Sequence, residues 1–75
     1  MTPAEPFLVA EAPRLSRRQL QVLQLLAEGM QAKAIAPALG IHIGVVKVHS
    51  TVARRKLGAR NNVHAVALAV RAGLI

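Results

Sequence analysis

Thirteen of the 75 side chains are formally charged, and ten of those are Lys or Arg. The three carboxylates are Glu5, Glu11 and Glu28, too few and too scattered to pair as a general acid and base. His42, His49 and His64 lack the Cys or acid spacing of a metal site, and the chain has no cysteine. The glycines stand singly and form no phosphate-cradling loop. The expectation is a protein that is not an enzyme and that uses no metal and no cofactor. What remains is cationic chemistry, and it is unevenly placed. Residues 1–12 hold two acids and no base. Residues 13–75 hold all ten bases and only Glu28, a local net charge of +9. A basic domain this small suits a polyanion, either nucleic acid or an anionic membrane surface.

The densest basic chemistry lies in a segment that reads as one helix, from near Gly44 to Leu57. Its inward stripe is Val46, then Ser50 or His49, then Ala53 and Leu57, at three- and four-residue spacing. Lys47, Val48, Thr51, Arg54 and Arg55 then point outward. A DNA major groove admits such a helix. Lys47 suits guanine O6 and N7 or a phosphate, Val48 a thymine methyl, and Thr51 a hydroxyl or methyl contact. Arg54, Arg55 and Lys56 fit the flanking phosphates.

Three further helices must position that face. Ser16 and Gln19 form the pattern of a capping box, with Leu15 and Leu20 placed as a hydrophobic staple, opening a helix over about 17–28 that Gly29 stops. A second helix over about 32–39 turns Ile35, Ala36 and Leu39 inward. Gly40 follows in the left-handed conformation a sharp reversal needs, and Ile41 plugs the angle between helices. This short link to the basic helix is a helix-turn-helix. Asn61 or Asn62 caps a fourth helix over about 63–72, before Gly73. The expected fold is all-α, a three-helix core plus a C-terminal dimerisation helix, spanning 14–75. Residues 1–13, with Pro3, Pro6 and Pro13, read as a flexible arm or linker remnant, or as a segment that docks Phe7-Leu8-Val9 on the domain.

The fourth helix carries Ala65 to Val70 as six consecutive apolar residues, more than one face of a small monomer buries. Val63, Val66, Ala67 and Val70 are expected to face the core. Ala65, Leu68, Ala69 and Ala72 are expected to face a second copy.

From Leu15 to Ile75 the chain resembles the LuxR-type (GerE-like) DNA-binding domain of bacterial transcription regulators, a helix-turn-helix among the winged-helix-like and homeodomain-like folds. The residues that carry the resemblance are Val22 to Gly29, Lys33, Ile35-Ala36, Leu39-Gly40-Ile41, Val46-Lys47-Val48-His49, Arg55-Lys56-Leu57-Gly58, Arg60-Asn61 and Ala65-Val66. The resemblance implies that Lys47, Val48 and Thr51 approach base edges. It implies that Lys33, Val45, His49, Ser50 and Arg55 approach the sugar-phosphate backbone. It further implies dimers on inverted repeats and contact with RNA polymerase. Several positions depart from the family pattern. Gln19 replaces the usual Glu and loses a buried charge partner. His42 replaces Ser or Thr and is expected to cap poorly. Val45 replaces Thr, Ser50 stands where Arg is often found, and Arg54 stands where an apolar residue is common. Ala53 is expected to leave space in the core. Pro37 falls in the second turn of a short helix, where it costs on the order of 3 kcal/mol and is expected to kink the helix or leave the domain marginal.

The reading is a sequence-specific, double-stranded DNA-binding transcription regulator that works as a homodimer in the bacterial cytoplasm, at the nucleoid when bound. The rival is a degenerate helix-turn-helix that pairs with another regulator through its fourth helix. No apolar run is long enough to span a membrane, the N-terminus lacks the features of a signal peptide, and glycine stops rule out one long membrane-active amphipathic helix.

Overall fold

The computed structural model describes residues 14–75, and the arm expected over 1–13 with its Phe7–Val9 run lies outside them. The described residues form four helices and no strand: α1 (Arg17–Ala27), α2 (Ala32–Leu39), α3 (Ile43–Leu57) and α4 (Asn62–Arg71). The boundaries follow local chemistry. At the start of α1 the Ser16 hydroxyl accepts from the Gln19 N–H at 3.0 Å, and Gln19 Oε1 accepts from the Ser16 N–H at 2.9 Å. The capping box is therefore complete, and two otherwise orphaned donors are satisfied. Asn61 caps α4, its Oδ1 accepting from the His64 N–H at 2.8 Å.

Between α2 and α3 the chain reverses at Gly40, whose φ of +69° is open to glycine at no steric cost. That conformation lets the Ile41 N–H return to the Ala36 carbonyl at 3.0 Å. The two helix axes then differ by 109°, the angle of a helix-turn-helix. Among the described residues no single helix is long and apolar enough to cross a membrane.

Two adjoining clusters hold the helices. Val22, Ile35, Ala36 and Val46 join α1, α2 and α3, with Leu39, Ile41 and Ile43 packed against them. Leu23, Ala53, Ala65 and Ala69 join α1, α3 and α4. The neighbours Val22 and Leu23 thus serve different clusters, and Leu26 touches both. Ala53, expected to leave a gap, is fully buried against Leu23 and two further alanines.

With Pro37 inside it, α2 is still assigned as one helix from Ala32 to Leu39. Pro37 and Lys33 are both exposed. The Lys33 carbonyl that loses its helical donor therefore lies on the solvated side, while buried Ile35 and Ala36 anchor the opposite face.

The buried charge partner expected to be lost at Gln19 is replaced by a hydrogen bond from a Lys ammonium to the neutral Gln19 amide oxygen. Lys56 Nζ donates to Gln19 Oε1 at 3.1 Å and to the Arg14 carbonyl at 2.9 Å. Lys56 thus clasps the start of α1, and this corrects its assignment to flanking phosphates. Gln19→Glu is expected to keep the capping box and turn the Lys56 contact into an ion pair, stabilising the domain by about 0.5–1 kcal/mol. Thermal denaturation at neutral pH checks this, with a rise of about 2–8 °C expected and a fall contradicting it.

Candidate nucleic-acid interface

The interface begins at the first turn of α3. His42 is its N-cap, and the imidazole Nδ1 accepts from the Gly44 N–H at 2.9 Å. The expectation of a poor cap is corrected, since a ring nitrogen lone pair does here what a hydroxyl does in Ser or Thr. Gly44 leaves room for the ring: a Cβ there would stand 3.2 Å from His42 Nδ1. An Nδ1 that accepts places the imidazole proton on Nε2, which is then a donor.

Val46, Ser50 and Ala53 are the buried residues of α3, one helical stripe at four- and three-residue spacing. The choice between Ser50 and His49 falls to Ser50, and His49 is half-buried at the edge. Ser50 is only 7% exposed, and its hydroxyl donates to the Lys47 carbonyl at 3.0 Å. Its assignment as a backbone contact for a ligand is therefore corrected: the side chain belongs to the core, because its position completes the inward stripe.

The opposite face is brought together as expected. Lys47, Val48 and Arg55 are exposed, and Thr51 and Arg54 are half-exposed beside them. Arg54 Nη2 donates to Thr51 Oγ1 at 3.0 Å, fixing the guanidinium against the hydroxyl one turn earlier. Val45 is exposed at the entry to the helix, and Lys33 is exposed on α2. α3 contains no Asp or Glu, so its cations sit in no opposing field from their own helix.

One residue of this surface escaped the sequence reading. Thr51, Arg54, Arg55, Gly58, Ala59 and Arg60 line a shallow hollow of about 270 Å³ at the end of α3. Gly58, at φ +70°, turns the chain so that the Ala59 N–H meets the Arg54 carbonyl at 2.8 Å. Arg60 is thereby carried back beside Arg54 and Arg55, and its N–H donates to His64 Nδ1 at 3.0 Å. The signal available was the Gly58 turn two residues earlier.

On α4 the expected phase is corrected. Ala65 and Ala69, placed against a second copy by sequence, are fully buried in the core, while Val66 packs against it as expected. Val63 and Val70, placed inward, are 80% and 54% exposed. Leu68 is half-buried and Ala72 exposed. The outward apolar stripe is therefore Val63, Ala67 and Val70, at four- and three-residue spacing. A hollow lined by Leu26, Ala27, Gly29, Met30, Asn62, Val63 and Val66 adjoins it. Asn62 Oδ1, beside that hollow, is buried without a hydrogen-bond partner among the described residues.

Comparison with known proteins agrees with this geometry. A family described as bacterial regulatory proteins, luxR family, matches residues 13–69. The transcriptional activator protein RaiR of Rhizobium etli is 49% identical over 65% of this chain and 20% of its own length. The response regulator RamR of Streptomyces coelicolor is 41% identical over 85% of this chain and 31% of its own. The transcriptional regulatory protein DesR of Bacillus subtilis is 36% identical over 79% of this chain and 30% of its own. The chain thus spans under a third of the length of these relatives.

Proposed function

The chain belongs to the luxR family of bacterial regulatory proteins, a family of DNA-binding helix-turn-helix regulators, and from that premise we propose that it recognises specific double-stranded DNA as a homodimer, with α3 of each copy in a major groove. The observation that carries the proposal is the pairing of the 109° turn with an exposed cationic face on α3. In this reading Lys47, Val48 and Thr51 approach base edges. Lys33, Val45, His49, Arg54 and Arg55 approach the sugar-phosphate backbone, and Arg60 joins them from the turn after α3. Half-sites lie one helical turn apart, about 34–36 Å. The working location is the bacterial cytoplasm at the nucleoid, and the bound regulator contacts RNA polymerase. Fluorescence-anisotropy titration of a duplex selected from a random pool tests the reading. An affinity at least about 10³-fold above that for a scrambled duplex is expected, and equal affinity for both contradicts it.

The dimer forms through the outward stripe of α4, Val63, Ala67 and Val70, with Leu68 and Ala72 at its edge. Exposed valines at this spacing gain roughly 1.5 kcal/mol or more each when covered, and the neighbouring hollow extends the apolar area. Val63→Glu combined with Val70→Glu is expected to leave thermal stability nearly unchanged, because both side chains are exposed in the protomer. The same variant is expected to bind a single half-site like the wild type and to lose about 10²-fold or more on the full palindrome. Sedimentation on DNA reads the stoichiometry, and a full dimer retained on the palindrome contradicts the interface.

A further inference from the structure

The hydrogen-bonding polarity of α3 narrows what it can read. From Ile43 to Leu57 there is no Asp, Glu, Asn or Gln, the side chains that accept from the amino groups of adenine and cytosine. Four other side chains at or in the helix carry a lone pair able to accept: His42, His49, Ser50 and Thr51. His42 Nδ1 is committed to the Gly44 N–H. Ser50 is buried, with its hydroxyl on the Lys47 carbonyl. His49 lies across the helix from Lys47 and Arg54, two residues beyond the first and five before the second. Thr51 Oγ1 already accepts from Arg54 Nη2 at 3.0 Å. Its O–H is left to donate, and at its second lone pair the guanidinium's positive charge disfavours any approaching amino hydrogen. The outward face therefore offers an ammonium, two guanidiniums, one hydroxyl set as a donor, and the methyls of Val48, which is 59% exposed.

We propose that this domain reads its site through acceptors and methyls alone, namely guanine O6 and N7, adenine N7, and thymine O4 and its methyl, with Arg54 setting Thr51 as a donor. The adenine and cytosine amino groups go unread. The proposal rests on α3 lying in the major groove. It assigns to Arg54 a part in specificity beyond a phosphate contact, through the hydroxyl it holds.

The test starts from the duplex that the protein selects from a random pool, into which single base analogues are placed. At one or more guanines per half-site, 7-deazaguanine, which lacks N7, is expected to lower affinity about 5- to 30-fold. Uracil for the thymine under Val48 removes the methyl and is expected to cost about 3- to 4-fold. At every adenine, 2-aminopurine removes the amino group from the major groove while keeping a pair with thymine, and is expected to change affinity by less than about two-fold. A 2-aminopurine penalty as large as that of 7-deazaguanine overturns the donor-only reading. In parallel, the pool is selected with Arg54→Leu, which removes the guanidinium charge and its hold on one Thr51 lone pair, and is expected to change the preferred base at one position per half-site. An even loss of affinity with an unchanged preference overturns the role of Arg54. Wild-type selection that enriches no sequence overturns instead the assignment of α3 to DNA, so the two failures are told apart.

Discussion

Raising monovalent salt from about 50 to about 200 mM is expected to weaken the dimer's complex with its DNA site by about 10⁴-fold. Lys33, Arg54, Arg55 and Arg60 give four cations per protomer at the proposed phosphate contacts, hence eight per dimer. Each phosphate neutralised releases condensed counterion, so log K falls against log salt with a slope of about −7. No acid on α3 offsets these charges, and the ten bases of residues 13–75 face one carboxylate in that span. The variants divide by mechanism. Arg55→Gln, acting at a phosphate, is expected to lessen the slope by about two in the dimer and to weaken all sequences alike. Lys47→Ala is expected to cost the selected site about 5- to 150-fold more than a scrambled one, since a base contact carries discrimination. Titration at four or more salt concentrations measures both effects, and a wild-type slope shallower than about −3 contradicts the proposed surface.

Leu23→Ala is expected to leave the domain largely unfolded at 25 °C. Leu23 is fully buried, and the other buried members of its cluster are Ala53, Ala65 and Ala69. Alanines cannot swing into vacated space, so the cavity persists and the loss falls in the upper part of the range for such truncations, about 3–5 kcal/mol. A single core in a chain this short supplies only about 3–5 kcal/mol of net stability. Circular dichroism on heating reads the outcome. A cooperative transition within about 5 °C of the wild type contradicts the packing of α4 on α1 and α3 through Leu23. Val63→Ala, at an exposed position of the same helix, is expected to shift stability by no more than about 0.5 kcal/mol.

The parts of this fold that were legible in sequence are those decided by local chemistry. The Ser16–Gln19 box, the Gly40 reversal and the inward Val46–Ala53 stripe each depend on residues within one or two turns of each other. The expectations that changed depend on partners distant in sequence. α4 is apolar nearly all round, so its periodicity carries no phase; close approach of Ala65 and Ala69 to Leu23 and Ala53 decides it. Lys56 meets α1 across 37 residues of chain, and nothing in its neighbourhood separates it from Arg55. His42 and Pro37 motivated the rival reading of a degenerate domain. In the structure His42 caps α3 through Nδ1 and α2 runs through Pro37, so the helix-turn-helix forms with both in place. The cationic face itself was legible as a set of residues, whereas the Arg54–Thr51 hydrogen bond that gives it polarity required coordinates.

In the proposed complex α3 lies in the major groove and reads bases with Lys47 and Thr51. Guanine-N7 methylation protection on the selected duplex tests it most directly, comparing the wild type with Lys47→Ala and Thr51→Ala. Protected guanines are expected in two patches about one helical turn apart, with protection lost at distinct positions in each variant while the fold is retained. Protection that is identical in all three proteins would contradict it.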